Sequence, residues 1–154
     1  MAQSSHTLSF VSPTPEAVQH ALQQALTTTF EEMVFMQVEE MAEAELEASQ
    51  VYARLPIFEP VRCSFTLSMN EGVVDACIDA LYCGTPITDA VRQDIANELA
   101  NTIAGLLMSN LDEAAAISLG LPSGGRGLPA PENGKTLAHA YRTDVGSLRV
   151  TVSL

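Results

Sequence analysis

The spacing of apolar residues changes abruptly near Gly72, and this change constrains the fold more than any other feature of the chain. Over 61–69, apolar residues alternate with polar ones in a strict two-residue period, which predicts a β-strand. Beyond Gly72 the apolar residues fall at three- and four-residue intervals, which predicts a short helix that stops by Gly84. A strand followed directly by a helix indicates a fold that mixes a sheet with helices.

The N-terminal half contains three further predicted elements. A helix opens after Pro15 and changes to a strand near Thr29, where three threonines disfavour helix. The alternation over 51–55 then predicts a strand that ends at a break bracketed by Pro56 and Pro60.

The C-terminal third predicts a β-hairpin. Residues 135–142 and 147–154 flank a short polar turn, whereas 118–127 is rich in glycine and predicts a loop. The acidic run over 39–47 is compatible with a solvated helical turn or with a strand connection.

Length and composition predict one domain. A chain of 154 residues is long enough to bury a single hydrophobic core, since a domain of about 150 residues buries roughly 68–70% of its unfolded surface. We assign this domain to 13–154, preceded by a polar segment, 1–12, that is either a tail or a short edge strand.

The charge of the chain excludes several classes of partner. Nineteen acidic and seven basic residues give a net charge of −12, which repels nucleic acid and anionic membrane surfaces. No apolar run approaches the roughly 18 residues of a membrane span, and the first residues lack the features of a signal peptide. We therefore expect a cytoplasmic protein without nucleic-acid or membrane partners.

Cysteine and histidine do not predict a metal site. The cysteines form no Cys-x-x-Cys pair, and their number, three, is odd, which favours reduced structural thiols. The three histidines are far apart in sequence and share no metal-ligand spacing.

The helix predicted from Thr88 or Asp89 to about Asn110 carries two stripes. At about 100° per residue, one stripe is apolar and contains Ile95, Leu99, Ile103 and Leu106. The other lies within roughly 60° on the opposite side and contains Asp94, Glu98, Asn101 and Gly105.

The polar stripe contains residues that weaken a helix. Glycine in a helix interior costs about 0.5–1 kcal/mol relative to alanine, so Gly105 indicates either a packing requirement or a partner that approaches closely. Asn101 is also a poor helix former, and its position one turn after Glu98 lets both side chains meet one external target. An ordinary exposed face with one packing glycine has the same pattern, and helix geometry leaves both interpretations open.

The segment Asp-Ile-Ala-Asn-Glu-Leu-Ala-Asn-Thr-Ile-Ala-Gly, from Asp94 to Gly105, resembles the signature helix of the CheC, CheX and FliY phosphatase family. That signature has an acidic residue or serine, then Glu, then Asn three residues later, and Pro122 resembles the proline beyond its helix. The order of elements is similar over roughly 10–154. Members of the CheC type carry two such helices, but the opening helix here offers no Glu-x-x-Asn, which favours the CheX type.

The resemblance implies an α/β (α+β) fold, with one CheC/CheX-like domain whose antiparallel-rich sheet packs against helices. It also implies a homodimer in which strands of the two subunits join into a larger sheet. The strands at 61–69 and 147–154 are the ones whose edges we expect to be open for this pairing.

The function implied by the resemblance is hydrolysis of the phospho-aspartate on a CheY-like receiver domain, in chemotaxis or related two-component signalling. Glu98 and Asn101 are then the catalytic residues: Asn101 positions the attacking water and Glu98 pairs with a lysine of the receiver. Gly105 leaves room for the receiver surface, and Asp94 either binds the partner or stabilises the N-terminal half of the helix. The chain binds no cofactor of its own, because the Mg²⁺ belongs to the receiver.

Three other functions compete with this interpretation. The first is a non-catalytic module of the same fold that binds a receiver or a flagellar protein. The second is a nucleotide-binding loop over 120–127, which lacks the lysine and hydroxyl of a P-loop at its last two positions. The third is a self-contained hydrolase with Ser118 or Ser123 as nucleophile and His139 as base, although no nucleophile-elbow pattern surrounds either serine.

Overall fold

The structure, a computed structural model, describes residues 13–46 and 48–154. In this part of the chain, three helices pack against one sheet of seven strands, and all strand pairs are antiparallel. The helices are α1 (Pro15–Leu26), α2 (Glu71–Leu81) and α3 (Asp89–Leu111). The strands are β1 (Glu39–Met41), β2 (Val51–Glu59), β3 (Cys63–Met69), β4 (Ser118–Leu119), β5 (Ser123–Arg126), β6 (Thr136–Thr143) and β7 (Gly146–Ser153).

The strands are ordered β1-β6-β7-β3-β2, and both β4 and β5 pair with the far side of β2. This α+β architecture confirms the predicted fold class. One face of the sheet and the inner faces of the helices share a single core, because alternate residues of the central strands point towards the helices. Its largest fully buried side chains include Phe30, Phe65, Leu67, Ile103 and Tyr141.

The sequence correctly predicts the central strand, both later helices and the terminal hairpin. The period-two segment forms β3, and the next segment forms α2. Thr88 is the N-cap of α3, and its side chain accepts a hydrogen bond from the Val91 N–H at 3.2 Å. Asp144 and Val145 form the tight turn of the hairpin between β6 and β7.

The expected position of the open sheet edges is wrong. β3 lies between β2 and β7, and β7 lies between β3 and β6, so both strands are paired on both sides. Among the described strands, β1 covers the outer side of β6 only at Ala140–Arg142, so 136–139 has no strand partner there. The outer sides of β4 and β5 form the opposite edge.

The predicted change from helix to strand near Thr29 is also wrong. The chain continues beyond α1 as a π-helical segment, Thr27–Met33, and the Met36 N–H donates to the Phe30 carbonyl at 2.7 Å. Phe30 and Thr29 are fully buried, so packing of this segment overrides the weak helix propensity of its threonines. Phe35 follows with a φ of +57° and is 84% exposed.

Two predictions near β2 are wrong because β4 and β5 both pair with this strand. The predicted break at Pro56 does not occur: β2 continues through Pro56, which lies between the part of β2 paired with β5 and the part paired with β4. The predicted loop at 118–127 contains these two short strands. A Cβ on Gly124 would collide with the Tyr52 carbonyl oxygen, so the glycines allow close strand pairing.

The acidic run contains β1 and a 3₁₀ turn, Glu43–Glu45. Glu43 forms a 2.5 Å ion pair with Arg149 of β7. Residues 1–12, which we interpreted as a tail or edge strand, lie outside the described residues.

Asn70 connects four parts of the fold. It follows β3 and precedes α2, and it is only 6% exposed. Its side-chain oxygen accepts hydrogen bonds from the Ser147 N–H at 2.6 Å and from the Ser147 hydroxyl at 2.9 Å. Its amide donates to the Ala48 carbonyl at 2.7 Å. Asn70 therefore fixes the start of α2 relative to β7 and to the chain before β2.

We expect Asn70→Ala to lower the free energy of unfolding by about 2–4 kcal/mol, because three buried or partly buried hydrogen bonds are lost. Urea denaturation measures the change. Asn110→Ala is the matched control, since Asn110 makes one hydrogen bond, to the Ala21 carbonyl at 3.1 Å, and should cost about 1 kcal/mol. Equal losses in the two variants would contradict the role assigned to Asn70.

Candidate functional site

The orientation of α3 is fixed by a wide buried face. The apolar stripe is buried at Ile95, Leu99 and Ile103, while Leu106 is partly buried. A parallel row of alanines is also buried, which allows close packing against the sheet and α1; it consists of Ala96, Ala100 and Ala104. Burial of this face leaves the opposite stripe at the surface.

The structure brings the predicted site residues together on that surface. Asp94, Glu98 and Asn101 are exposed, and Gly105 is half-buried at the end of the row. Within the described residues, the Asp94 carboxylate and the Asn101 amide have no hydrogen-bond or ion-pair partner. Asn101 therefore keeps both its donor and its acceptor available for a molecule from outside.

Glu98 differs from Asp94 and Asn101 because its carboxylate already accepts a hydrogen bond within the chain. The Tyr82 hydroxyl donates to it, lying 3.1 Å from Oε1 and 3.2 Å from Oε2. The hydrogen bond with Glu98, together with the negative charge of Glu98, raises the pKa of the Tyr82 phenol above its usual value. At neutral pH the hydroxyl thus stays protonated and remains a donor.

Sequence reasoning did not find Tyr82. It lies just after α2, and 16 positions separate it from Glu98, so no helical or strand period connects the two residues. The only local signal is the segment Leu-Tyr-Cys-Gly, which ends at Gly84 and had been interpreted only as a helix stop.

Internal packing does not require glycine at position 105. A Cβ there would meet only the Leu119 Cδ1 atom, at 3.9 Å, which is an ordinary van der Waals distance. Of the two explanations for Gly105, packing within the described chain is therefore unsupported. Close approach by a partner stays a prediction.

A charge cluster anchors the beginning of α3. Arg92 forms two hydrogen bonds with Asp75 of α2, at 2.8 and 3.2 Å, and one with Asp89 at 3.0 Å. Its guanidinium also lies 3.3 Å from Glu71. Arg126 of β5 pairs with Asp89 as well, so the cluster joins α2, α3 and the sheet edge.

We expect Arg92→Ala to lower the free energy of unfolding by about 1–3 kcal/mol, because the Arg92 side chain is only 18% exposed and binds several carboxylates. Arg142→Ala is the control: Arg142 is paired 3.6 Å from Glu39, and both side chains are mostly exposed, so its loss should be below about 0.5 kcal/mol. Chemical denaturation of both variants tests the difference. Equal stability of the two would contradict this assignment.

The site is an exposed helix surface and not a cleft. A cleft of about 260 Å³ opens elsewhere, and its lining includes Glu43, Ser68, Leu128 and Arg149. Ser68 and Arg149 alternate with the buried Leu67 and Val150, so the cleft lies on the sheet face away from the helices. An exposed stripe on a helix suits the surface of another macromolecule better than a small ligand, which concave sites enclose.

The geometry excludes two of the competing interpretations. His139 of β6 is separated from β4 and β5 by three strands, or about 19 Å at the usual strand spacing, so it cannot act as the base for Ser118 or Ser123. The glycine-rich segment is followed by no helix before β6, whereas a P-loop requires a helix N-terminus to bind phosphate.

The described residues offer neither a metal site nor a membrane-spanning helix. No group of three or more His, Cys, Asp or Glu side chains in that part of the chain is placed to hold a metal ion. None of the described helices combines the length and apolar character needed to cross a bilayer.

Comparison with solved structures identifies the fold. CheX from Vibrio vulnificus matches with a TM-score of 0.78 and 13% identity, covering 92% of this chain and 99% of that chain. A chain of the CheX–CheY–BeF₃–Mg²⁺ complex from Borrelia burgdorferi matches at 0.62 and 14%, covering 90% and 95%. The FliM middle domain from Vibrio alginolyticus matches at 0.58 and 11%, covering 91% and 92%.

CheC-like proteins and FliY match as well. No protein-family model matches the sequence, and neither does any curated protein at a significant level. The fold is therefore that of the CheC, CheX and FliY proteins, as the signature helix had indicated.

Proposed function

We propose that this protein is a phosphatase that accelerates hydrolysis of the phospho-aspartate on a CheY-like receiver domain in chemotaxis or related two-component signalling. The observation that carries the proposal is the exposed pair Glu98 and Asn101, one turn apart on a rigidly anchored helix. The CheX fold supports it, since one solved structure of that fold is a complex with CheY, BeF₃ and Mg²⁺.

Asn101 is the residue that positions water. Hydrolysis of an acyl phosphate requires a water molecule held in line with the scissile bond, and little further covalent chemistry is needed. A carboxamide can accept a hydrogen bond from this water and donate one to a neighbouring oxygen. The free, exposed amide of Asn101 meets this requirement, and no general base is needed.

Glu98 aligns the two proteins. Its carboxylate pairs with a lysine of the receiver, and docking shields this charge pair from solvent and strengthens it. Asp94, on the same stripe, contacts the partner, and Gly105 lets the receiver surface approach the helix backbone. The net charge of −12 makes local complementarity more important for docking than overall attraction.

The chain needs no cofactor of its own in this proposal. The receiver supplies the Mg²⁺, and its own cations neutralise most of the phosphoryl charge. The proposed location is the cytoplasm, where we expect the phosphorylated receiver to be found.

The alternative is a non-catalytic module that binds a receiver or a flagellar protein. The match to the FliM middle domain favours keeping this alternative, because proteins that are not named CheX, CheC or FliY also have the fold. The two functions differ at Asn101: a docking module needs no water-positioning residue there.

Decay of a phosphorylated CheY-like receiver from the same organism, with Mg²⁺ present, tests the proposal. Wild-type protein should accelerate the decay. Asn101→Ala should lower kcat by about 100-fold or more, because the water loses its positioning. Glu98→Ala should raise KM by about tenfold or more, because the docking charge is lost.

Asn133→Ala is the matched control, since Asn133 is an exposed asparagine in the loop before β6, and it should leave the rate unchanged. Unchanged acceleration by Asn101→Ala would contradict the mechanism. Binding of the receiver by wild-type protein without any acceleration would favour the docking module.

We also propose that the protein forms a homodimer by strand pairing. Because β3 and β7 are paired on both sides, the proposed contact uses a free edge instead, the 136–139 part of β6, which has no partner among the described strands. An open edge of this kind is a template for a second chain. Gel filtration at micromolar concentration should give twice the 16.4 kDa mass of the chain, and a monomer mass would contradict the proposal.

A further inference from the structure

Tyr82 is the only described side chain that hydrogen-bonds to Glu98. We propose that Tyr82 is a positioning residue, which holds the Glu98 carboxylate in the orientation that meets a cation of the docked receiver. This inference rests on the proposed function, because it assigns a partner-binding task to Glu98. Tyr82 itself contacts no reacting group.

The backbone of Tyr82 is fixed on both sides. Its N–H donates to the Ile78 carbonyl at 2.7 Å, and its carbonyl accepts from the Thr85 N–H at 3.0 Å. Gly84, with a φ of +87°, completes the turn between α2 and α3. Because this turn is closed by hydrogen bonds, the tyrosine ring projects from a defined point beside α3.

The hydrogen bond therefore joins two separately anchored elements. Tyr82 belongs to the end of α2, and Glu98 belongs to the middle of α3. Arg92 links the same two helices through Asp75. The distance between the phenol and the carboxylate is thus set by the packing of the two helices and not by a flexible loop.

Positioning is useful because an exposed glutamate side chain is otherwise mobile. Ordering such a side chain upon docking costs conformational entropy, and a side chain that is already ordered loses less of it. A hydrogen bond to a carboxylate is also stronger than one between neutral groups. Tyr82 therefore reduces the cost of docking before the partner arrives.

The contact leaves Glu98 able to bind a cation. An ionised carboxylate has about four acceptor positions, and one hydroxyl proton satisfies one of them. Asn101 has no comparable support in the described chain, which is consistent with its different task of meeting a mobile water molecule.

Steady-state dephosphorylation of the receiver by Tyr82→Phe separates this role from catalysis. We expect KM to rise about three- to tenfold, which is typical for loss of one hydrogen bond to a partly exposed charged group, while kcat changes less than about twofold. Tyr52→Phe is the matched control: Tyr52 lies on β2, and its hydroxyl has no described hydrogen-bond partner, so KM and kcat should stay at wild-type values. An unchanged KM in Tyr82→Phe would overturn the inference.

A double-mutant comparison tests whether Tyr82 acts through Glu98. In a Glu98→Ala background, Tyr82→Phe should have no further effect on KM, because there is no carboxylate left to position. A second rise of the same size would overturn the inference, since Tyr82 would then act independently of Glu98.

Two measurements keep this inference distinct from the phosphatase proposal. The pKa of Tyr82, followed by NMR with tyrosine labelled at the phenolic carbon, should fall in Glu98→Gln; an unchanged value would overturn the contact itself. The affinity for a receiver activated with BeF₃ and Mg²⁺ should weaken by the same three- to tenfold factor in Tyr82→Phe. Wild-type protein that binds the BeF₃-activated receiver but does not accelerate decay of the phosphorylated receiver would refute the phosphatase, whereas weaker binding by Tyr82→Phe would still support the positioning role. If no receiver binds, the inference fails.

Discussion

Burial of one side of α3 is the constraint on which the rest of the molecule depends. The helix occupies the centre of the helical layer, where it contacts α1, α2 and β2. Its buried face combines large residues such as Ile103 with small ones such as Ala100. A helix buried on this side cannot rotate without exposing apolar surface, so the direction of the opposite stripe is determined by the core.

Elements with a strong local period could be predicted from the sequence, and elements held by distant pairing could not. The alternation in β3 and the cap at Thr88 are local signals, and both predictions were confirmed. β4 and β5 contain too few residues to show a period, and each exists only because β2 lies beside it. Pro56 was predicted to break the strand for the same reason. Whether β2 can contain a proline at this position depends on β4 and β5, which lie more than 60 positions away in the sequence.

The candidate site shows the same division. Helical geometry alone placed Asp94, Glu98, Asn101 and Gly105 on one side of α3, and the structure exposes that side. The roles of these residues stay predictions. The contacts of Tyr82 with Glu98 and of Arg92 with Asp75 were missed because each joins the region of α2 to α3, and the order of residues along a chain does not reveal how two helices pack.

At Gly105, the residue that favours folding differs from the residue that favours the proposed contact with a partner. Alanine would fit its surroundings and would strengthen the helix, so selection for folding alone pushes this position away from glycine. Folding does not explain the glycine, so its proposed role is the contact with a partner. Among descendants that lose their docking partner, position 105 should be one of the first in α3 to drift, while the buried alanines on the other side of the helix stay unchanged.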